Sequence, residues 1–277
     1  MALETVLHIT VKKYEAYGLR KLNYSQTPSP KNHQVVADCR GLLLDATNAR
    51  IVSCTFRRFY NYRESGAPAD FDFGNATIFE KCDGSLVQIY FCGATGSWEV
   101  GTRRTAFGEQ GAPEGSTSRQ SVLTAMKVPS DTEFEAIANR ELDRGVTYAA
   151  EYCGPSNLIS TVYAEDQVVL LAAMYNNEDR ELPSLEQVCA ALQASGFNVC
   201  LPKTYPLASI ADCHAALNEL LMPTDEGFVL RDNQTGHRLK LKSPRYLEMK
   251  RILTFSRMVK LVHGNEQDEF LATFEDA

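Results

Sequence analysis

The chain has little of what would mark a metal centre, a disulfide scaffold or a membrane span. Its 277 residues include 8 cysteines and 5 histidines, and no two cysteines lie closer than 10 positions. No Cys-x-x-Cys occurs and the histidines form no ligand pair, which excludes a zinc ribbon and a dithiol redox motif. Several cysteines fall inside apolar runs, where reduced buried thiols are usual, and reduced thiols fit a cytoplasmic protein. Apolar runs are short: Glu4, Lys12 and Lys13 interrupt the first, and none approaches the roughly 18 apolar residues of a membrane helix. The sequence therefore predicts a cytoplasmic, unanchored chain with no membrane partner. Internal repeats and low-complexity runs are absent too. The net charge of −7 excludes nucleic-acid binding by the surface as a whole.

What charge there is lies unevenly. Between Arg238 and Val262 stand eight Lys or Arg and a single acid, Glu248. Such a run serves either as a local polyanion patch or as a solvated basic helix face.

Periodicity and turn residues outline the elements. Two strands, 35–45 and 51–59, read as a hairpin joined by Thr47-Asn48-Ala49-Arg50. Strands at Ala76–Glu80 and Leu86–Cys92 follow, then helices over 119–127 and from Ser130-Asp131 to about Asp143. Val146–Cys153 and Gln167–Tyr175 read as strands, Ser184–Ser195 and Ser209–Leu221 as helices, and Gly227–Arg231 and His237–Lys242 as the last strands. A final helix begins near Pro244. Strand runs interrupted by helix pairs, without β-α-β alternation, predict an α+β fold of mainly antiparallel sheets.

Chemistry concentrates in Lys81-Cys82-Asp83-Gly84-Ser85. An Asp-Gly pair between two strand-like runs predicts a hairpin, and residues two apart on extended chain share a face, so Lys81 and Asp83 are expected in one cleft. By itself this is an ordinary hairpin bearing a surface lysine. Other segments supply partners for a lysine nucleophile. In Lys240-Leu241-Lys242 the two ammonium groups share a strand face, a suitable clamp for phosphate or simply two edge-strand lysines. Glu151 lies inside an apolar strand and Glu226 at the start of another. A carboxylate in such a place must pair with a cation or bind something, a ribose or a divalent metal among the candidates. Arg103 lies in the basic Thr102–Thr105, and Arg57–Arg63 interleaves arginines with aromatics as RNA-stacking surfaces do.

Taken in order, these segments resemble the signature series of the covalent nucleotidyltransferases, the superfamily of polynucleotide ligases and capping enzymes. Lys81-Cys82-Asp83-Gly84-Ser85 matches the nucleophile motif, Arg103 the basic motif after it, and Glu151 the central Glu motif with its Pro-small-Asn continuation at Pro155-Ser156-Asn157. Glu226-Gly227 matches the Glu-Gly motif, and Lys240-Leu241-Lys242-Ser243, followed by Tyr246, the Lys-x-Lys motif. Cys39-Arg40-Gly41 and Arg58-Phe59-Tyr60-Asn61 narrow the likeness to the ATP-dependent RNA ligases of tailed phages, of the tRNA-repair type. The position of Arg58 is usually lysine there.

The resemblance implies a nucleotidyltransferase fold with a nucleotide cleft between sheets, Lys81 as the AMP-accepting nucleophile, and Arg40, Arg58, Arg103, Glu151, Glu226, Lys240 and Lys242 around the nucleotide. Glu226 and Glu151 are its candidates for metal. It further implies ATP with Mg2+ or Mn2+ as cofactors, a virus-encoded monomer, and RNA with 5′-phosphate and 3′-hydroxyl ends as partner. The expected division is a nucleotidyltransferase domain over 1–243 and a helical segment over 244–277. A DNA ligase, a capping guanylyltransferase and a non-catalytic RNA-end-binding protein are the alternatives.

Overall fold

The computed structural model describes residues 2–25, 28–109, 115–219 and 225–252. After the short helix α1 (Ala2–Thr5), the strands β1 (Ile9–Tyr14), β2 (Leu19–Tyr24), β3 (Arg40–Asp45) and β4 (Ile51–Ser53) pair antiparallel in chain order as a first sheet. The hairpin expected from residues 35–45 and 51–59 is present but shorter. Residues Gln34–Asp38 form helix α2, because Val36 completes a buried cluster with Ile9, Leu22, Tyr24 and Cys39. That tertiary burial overrides the strand preference of a valine pair.

The remaining strands build two five-stranded sheets. In chain order they are β5 (Tyr60–Asn61), β6 (Ala76–Glu80), β7 (Ser85–Cys92), β8 (Ser97–Thr102), β9 (Val146–Cys153), β10 (Gln167–Tyr175), β11 (Val199–Cys200), β12 (Thr204–Tyr205), β13 (Gly227–Asp232) and β14 (Arg238–Lys242). The second sheet has the order β11-β10-β9-β7-β8 and the third β12-β6-β13-β14-β5. Helices α3 (Ser118–Ala125), α4 (Asp131–Glu141), α5 (Leu185–Ala194) and α6 (Ile210–Glu219) lie between strands in sequence, and residues 244–252 are helical. Thr117 and Gln120 form a capping box on α3, and Ser130 caps α4. Among the described residues no helix is long and apolar enough to cross a membrane. All 8 cysteines are free.

Strand alternation decides which face carries the chemistry. On the second sheet Val87, Ile89, Tyr148, Ala150 and Tyr152 join the main core with Val122, Phe134 and Leu192 of the helices. On the third, Phe228, Leu230, Leu239 and Leu241 pack on Cys213 and Leu217 of α6. The intervening residues, Glu151 on β9 and Lys240 and Lys242 on β14, fall on the faces opposite these contacts.

The Asp-Gly hairpin is not formed. β6 pairs with β12 and β13, whereas β7 pairs with β8 and β9, so Lys81–Gly84 crosses from the third sheet to the second. A two-residue type I′ turn needs positive φ at both central residues, and neither Asp83 nor Gly84 has it. Glycine is required at 84 for closeness instead: a Cβ there would lie 2.2 Å from the Tyr152 carbonyl oxygen. Lys81 and Asp83 engage different partners. The buried Asp83 carboxylate accepts from Thr161 N at 3.1 Å and from the Tyr246 hydroxyl at 3.1 Å.

A buried polar strut joins the first sheet to the second. Gln88 on β7 accepts from Lys21 Nζ at 2.5 Å and Ser53 Oγ at 3.0 Å, and donates to the Gly41 carbonyl at 2.8 Å. Burial lowers Lys21 to about 7. Gly41 has φ +76, and a Cβ there would stand 3.0 Å from the Arg103 carbonyl, so glycine suits this place next to Arg40.

Candidate active site

Lys81 follows β6, and its amide donates to the Gly227 carbonyl at 2.8 Å. This bond sets the lysine beside Glu226. Lys81 Nζ lies 2.6 Å from Glu226 Oε2, and Lys242 Nζ 2.6 Å from Glu226 Oε1. The Gly227↔Lys242 register between β13 and β14 explains the second contact. Gly227, at φ +128, leaves no room for a side chain, since a Cβ would meet the Leu241 carbonyl at 2.2 Å. Burial alone would raise the Glu226 carboxyl, but Lys81 and Lys242 outweigh it and hold the group below the usual carboxylate range.

Glu151 faces the same space from β9. Its Oε1 accepts from the Gly84 amide at 3.2 Å. Water reaches the residue only in part, and desolvation at the cleft floor pushes the carboxyl up to about 7, further raised by Glu226 and opposed by Lys81 and Arg40. Lys240 is pushed the other way, down to about 7, by burial and then by the positive charges of Arg40, Lys81, Arg58 and Lys242.

The parallel pairing of β5 with β14 brings the aromatic-basic segment to this point. Leu239 is opposite Tyr60 and Lys240 opposite Asn61, and Lys240 Nζ lies 4.7 Å from the Phe59 ring centre. The Arg58 guanidinium stacks 4.4 Å from the Tyr60 ring and is ion-paired with Glu64. Glu64 in turn accepts from Asn61 N at 2.8 Å and Asn61 Nδ2 at 2.6 Å. Arg40 lies 5.2 Å from the Phe56 ring. Arg103 reaches back to the first sheet, donating from Nε to Asn23 Oδ1 at 2.8 Å over the Tyr24 ring; its charge still bears on Arg40.

The structure thus gathers Lys81, Arg40, Arg58, Glu151, Glu226, Lys240 and Lys242 about one cleft and sets Arg103 at its first-sheet edge. Sequence reasoning missed Lys31, which lies 5.1 Å from the opposite partner of Arg103, the Tyr24 ring, and feels Arg58 and Arg103. It also missed Tyr163, whose hydroxyl accepts from Asp83 N at 3.0 Å, and gave no role to Asn157, which bridges Ser85 Oγ (3.1 Å) and the Tyr152 carbonyl (2.6 Å). Asn157 had a signal, the Pro-Ser-Asn turn after Glu151; Lys31 had none. The basic run from Arg238 starts with a paired side chain, since Arg238 Nη2 contacts Glu181 Oε2 at 2.8 Å, and its part beyond residue 252 lies outside the described residues.

A metal must find oxygen ligands here. Both Glu226 oxygens are engaged by lysines, and among the described residues no three His, Cys, Asp or Glu side chains converge on a common point. A closed protein cage is therefore not built. The donor set suits a cation of the magnesium kind, which binds through one or two carboxylates together with phosphate oxygens and water, with Glu151 as the available carboxylate.

Comparison with known proteins bears on the whole arrangement. A sequence model of the family described as RNA ligase matches residues 38–246. A protein of Autographa californica nuclear polyhedrosis virus, described as a bifunctional polynucleotide kinase/RNA ligase, is 32% identical over 283 residues, covering 96% of this chain and 39% of the viral protein. The structure of an archaeal ATP-dependent RNA ligase superposes with TM-score 0.60 at 16% identity, over 92% of this chain and 63% of that one. One described as an ATP-dependent DNA ligase from Aquifex aeolicus gives 0.59 at 16% identity, over 98% and 68%. The chain spans less than two thirds of the viral and archaeal relatives. Likeness at this identity establishes a shared nucleotidyltransferase fold, in line with the α+β expectation.

Proposed function

The chain belongs to the RNA ligase family, and from that membership we propose that it joins RNA ends with ATP through a lysyl-AMP intermediate. The observation that carries the reading is the Lys81–Glu226–Lys242 arrangement with both nitrogens 2.6 Å from one carboxylate. A nucleophilic amine is thereby held in place beside a second cation suited to phosphate.

In the first step the Lys81–Glu226 pair opens, the ammonium gives up a proton to solvent water, and Nζ attacks the α-phosphorus of ATP. An N–P bond forms, the bond to the β-phosphate oxygen breaks, and pyrophosphate leaves. Lys240, Lys242, Arg40 and Arg58 bind the phosphate oxygens, and Arg103 supports that charge from the edge. Glu226 and Glu151 bind ribose or, for Glu151, a divalent cation arriving with the phosphates. When bound, Mg2+ or Mn2+ supplies charge neutralisation at the phosphates. An oxygen of the RNA 5′-phosphate then takes the AMP from Lys81, and attack by a 3′-hydroxyl forms the phosphodiester and releases AMP.

Residues 1–243 constitute the adenylyltransferase unit in this reading, acting in the cytoplasm as a monomer. Labelled ATP with a divalent cation is expected to leave an acid-labile AMP adduct, absent in Lys81→Ala; an adduct on that variant removes Lys81 from its role. The fold shared with a DNA ligase keeps nicked DNA as a second substrate to compare with 5′-phosphorylated RNA, and broken tRNA is the finer RNA substrate to try. Adduct formation from GTP rather than ATP would turn the assignment toward capping chemistry.

A further inference from the structure

We propose that an arginine-lined cavity of about 730 Å³ on the far side of Arg58 binds a backbone phosphate of the RNA strand being joined, an inference that rests on the ligase reading. Arg57, Arg58, Arg180, Arg231 and Arg238 line it, against the carboxylates of Asp179 and Glu181. Lys81, Glu151, Glu226 and Lys242 are not among its lining residues, so it adjoins, through Arg58, the space where the adduct would form.

Two guanidinium nitrogens at this cavity, Arg58 Nη1 and Arg231 Nε, are buried without a hydrogen-bond partner. The Arg58 side chain is 10% exposed. A buried donor with no acceptor is costly and rare, and a turn of either guanidinium toward an anion in the cavity would give it one. The other guanidinium groups are already oriented. Glu181 pairs with Arg231 Nη2 at 3.1 Å and with Arg238, and Arg57 is held by Asp38 at 2.7 Å and Asp179 at 3.1 Å. Arg58 and Arg180 are likewise held, by Glu64 and Glu178, and fixed planar forks of this kind suit a phosphate better than mobile ammonium groups.

Strand register connects this cavity to the reaction centre. On β14 the side chains of Lys242, Lys240 and Arg238 follow one another on the face away from α6, and Arg231 is directly opposite Arg238 on β13. At about 3.3 Å per residue the row from Lys242 to Arg238 covers roughly 13 Å. A nucleoside triphosphate held at Lys81 is too short to reach the far end, because two bridging oxygens join its three phosphorus atoms. A polynucleotide whose terminal phosphate lies at Lys81 continues along such a row, as single strands follow cationic grooves.

The test measures binding of a fluorescent, 5′-phosphorylated oligoribonucleotide to the full chain over a salt series, alongside AMP labelling by ATP. Arg231→Gln is expected to weaken RNA binding about tenfold and to lower the slope of log affinity against log salt by about one. AMP labelling should stay within about twofold of the wild-type rate. Equal losses of RNA affinity and ATP labelling would assign the cavity to the nucleotide's phosphate tail and overturn the proposal, as would unchanged affinity and slope. The half-exposed Arg57→Gln carries the same expectations should Arg231→Gln fail to fold. Wild-type chain that binds RNA with an Arg231-dependent slope but forms no AMP adduct would overturn the ligase reading and leave the cavity assignment standing.

Discussion

The two walls of the cleft each present a glutamate, and the two are tuned in opposite directions. Glu226, on the third sheet, has a lysine nitrogen 2.6 Å from each oxygen and is held below the carboxylate range. Glu151, on the second sheet, has one amide at 3.2 Å and is pushed up to about 7. Burial raises both, so partners decide the outcome. A carboxylate bracketed by cations is a fixed counter-charge. One whose burial outweighs the more distant charges of Lys81 and Arg40 and a single peptide N–H is poised near neutrality, able to exchange its proton for a cation.

Breaking the bracketed side should have the largest effect. Glu226→Ala leaves Lys81 and Lys242 without their counter-charge, and removing one partner of a largely buried pair costs about 3 kcal/mol; urea unfolding at pH 7 checks this. Next comes Glu151, whose titration separates the two walls by pH. Its folded pKa lies above its unfolded value, so the native state binds the proton more tightly between about 4.5 and 7. Stability should therefore fall as pH rises through that window, on the order of 2 kcal/mol after allowance for partial exposure. Glu151→Gln should flatten the dependence in unfolding curves at pH 5, 6 and 7. Glu226 works the other way: the stability it contributes is present above its unfolded pKa and is lost only as pH falls through its depressed folded value.

The link between the walls is the next target. Gly84→Ala brings a methyl within 2.2 Å of the Tyr152 carbonyl, costing about 2 kcal/mol by overpacking. It should also slow AMP labelling about tenfold, since Lys81 shifts with the crossover. Tyr246→Phe, which removes one 3.1 Å donor from Asp83, should cost about 1 kcal/mol with labelling close to wild type.

How much of this the sequence disclosed depends on range. β9 and β10 have the bounds read from their apolar runs, because a strand covered by helices on one face and by the neighbouring sheet on the other has few polar interruptions. The ordered motif residues do converge on one cleft. Asp83-Gly84 misled, because the dipeptide suits a tight turn and nothing local to it announces that β6 and β7 find partners in different sheets. Lys21 with Gln88 and Arg58 with Glu64 were equally unreadable, the first because 67 positions separate donor and acceptor, the second because a surface glutamate in a turn looks like any other.

The Lys81–Gly84 crossover has a mechanical consequence. Because the chain passes between the second and third sheets here and again at residues 201–203, beside it through the 2.7 Å bond from Glu80 N to the Lys203 carbonyl, a rocking of one sheet against the other about these links would displace distant groups most and groups at the links least. Arg231 would travel along the longer arc, while the Lys81 backbone stays close to the axis. Opening to admit a polymer and closing on it would then change the grip at the periphery while the amine keeps its aim.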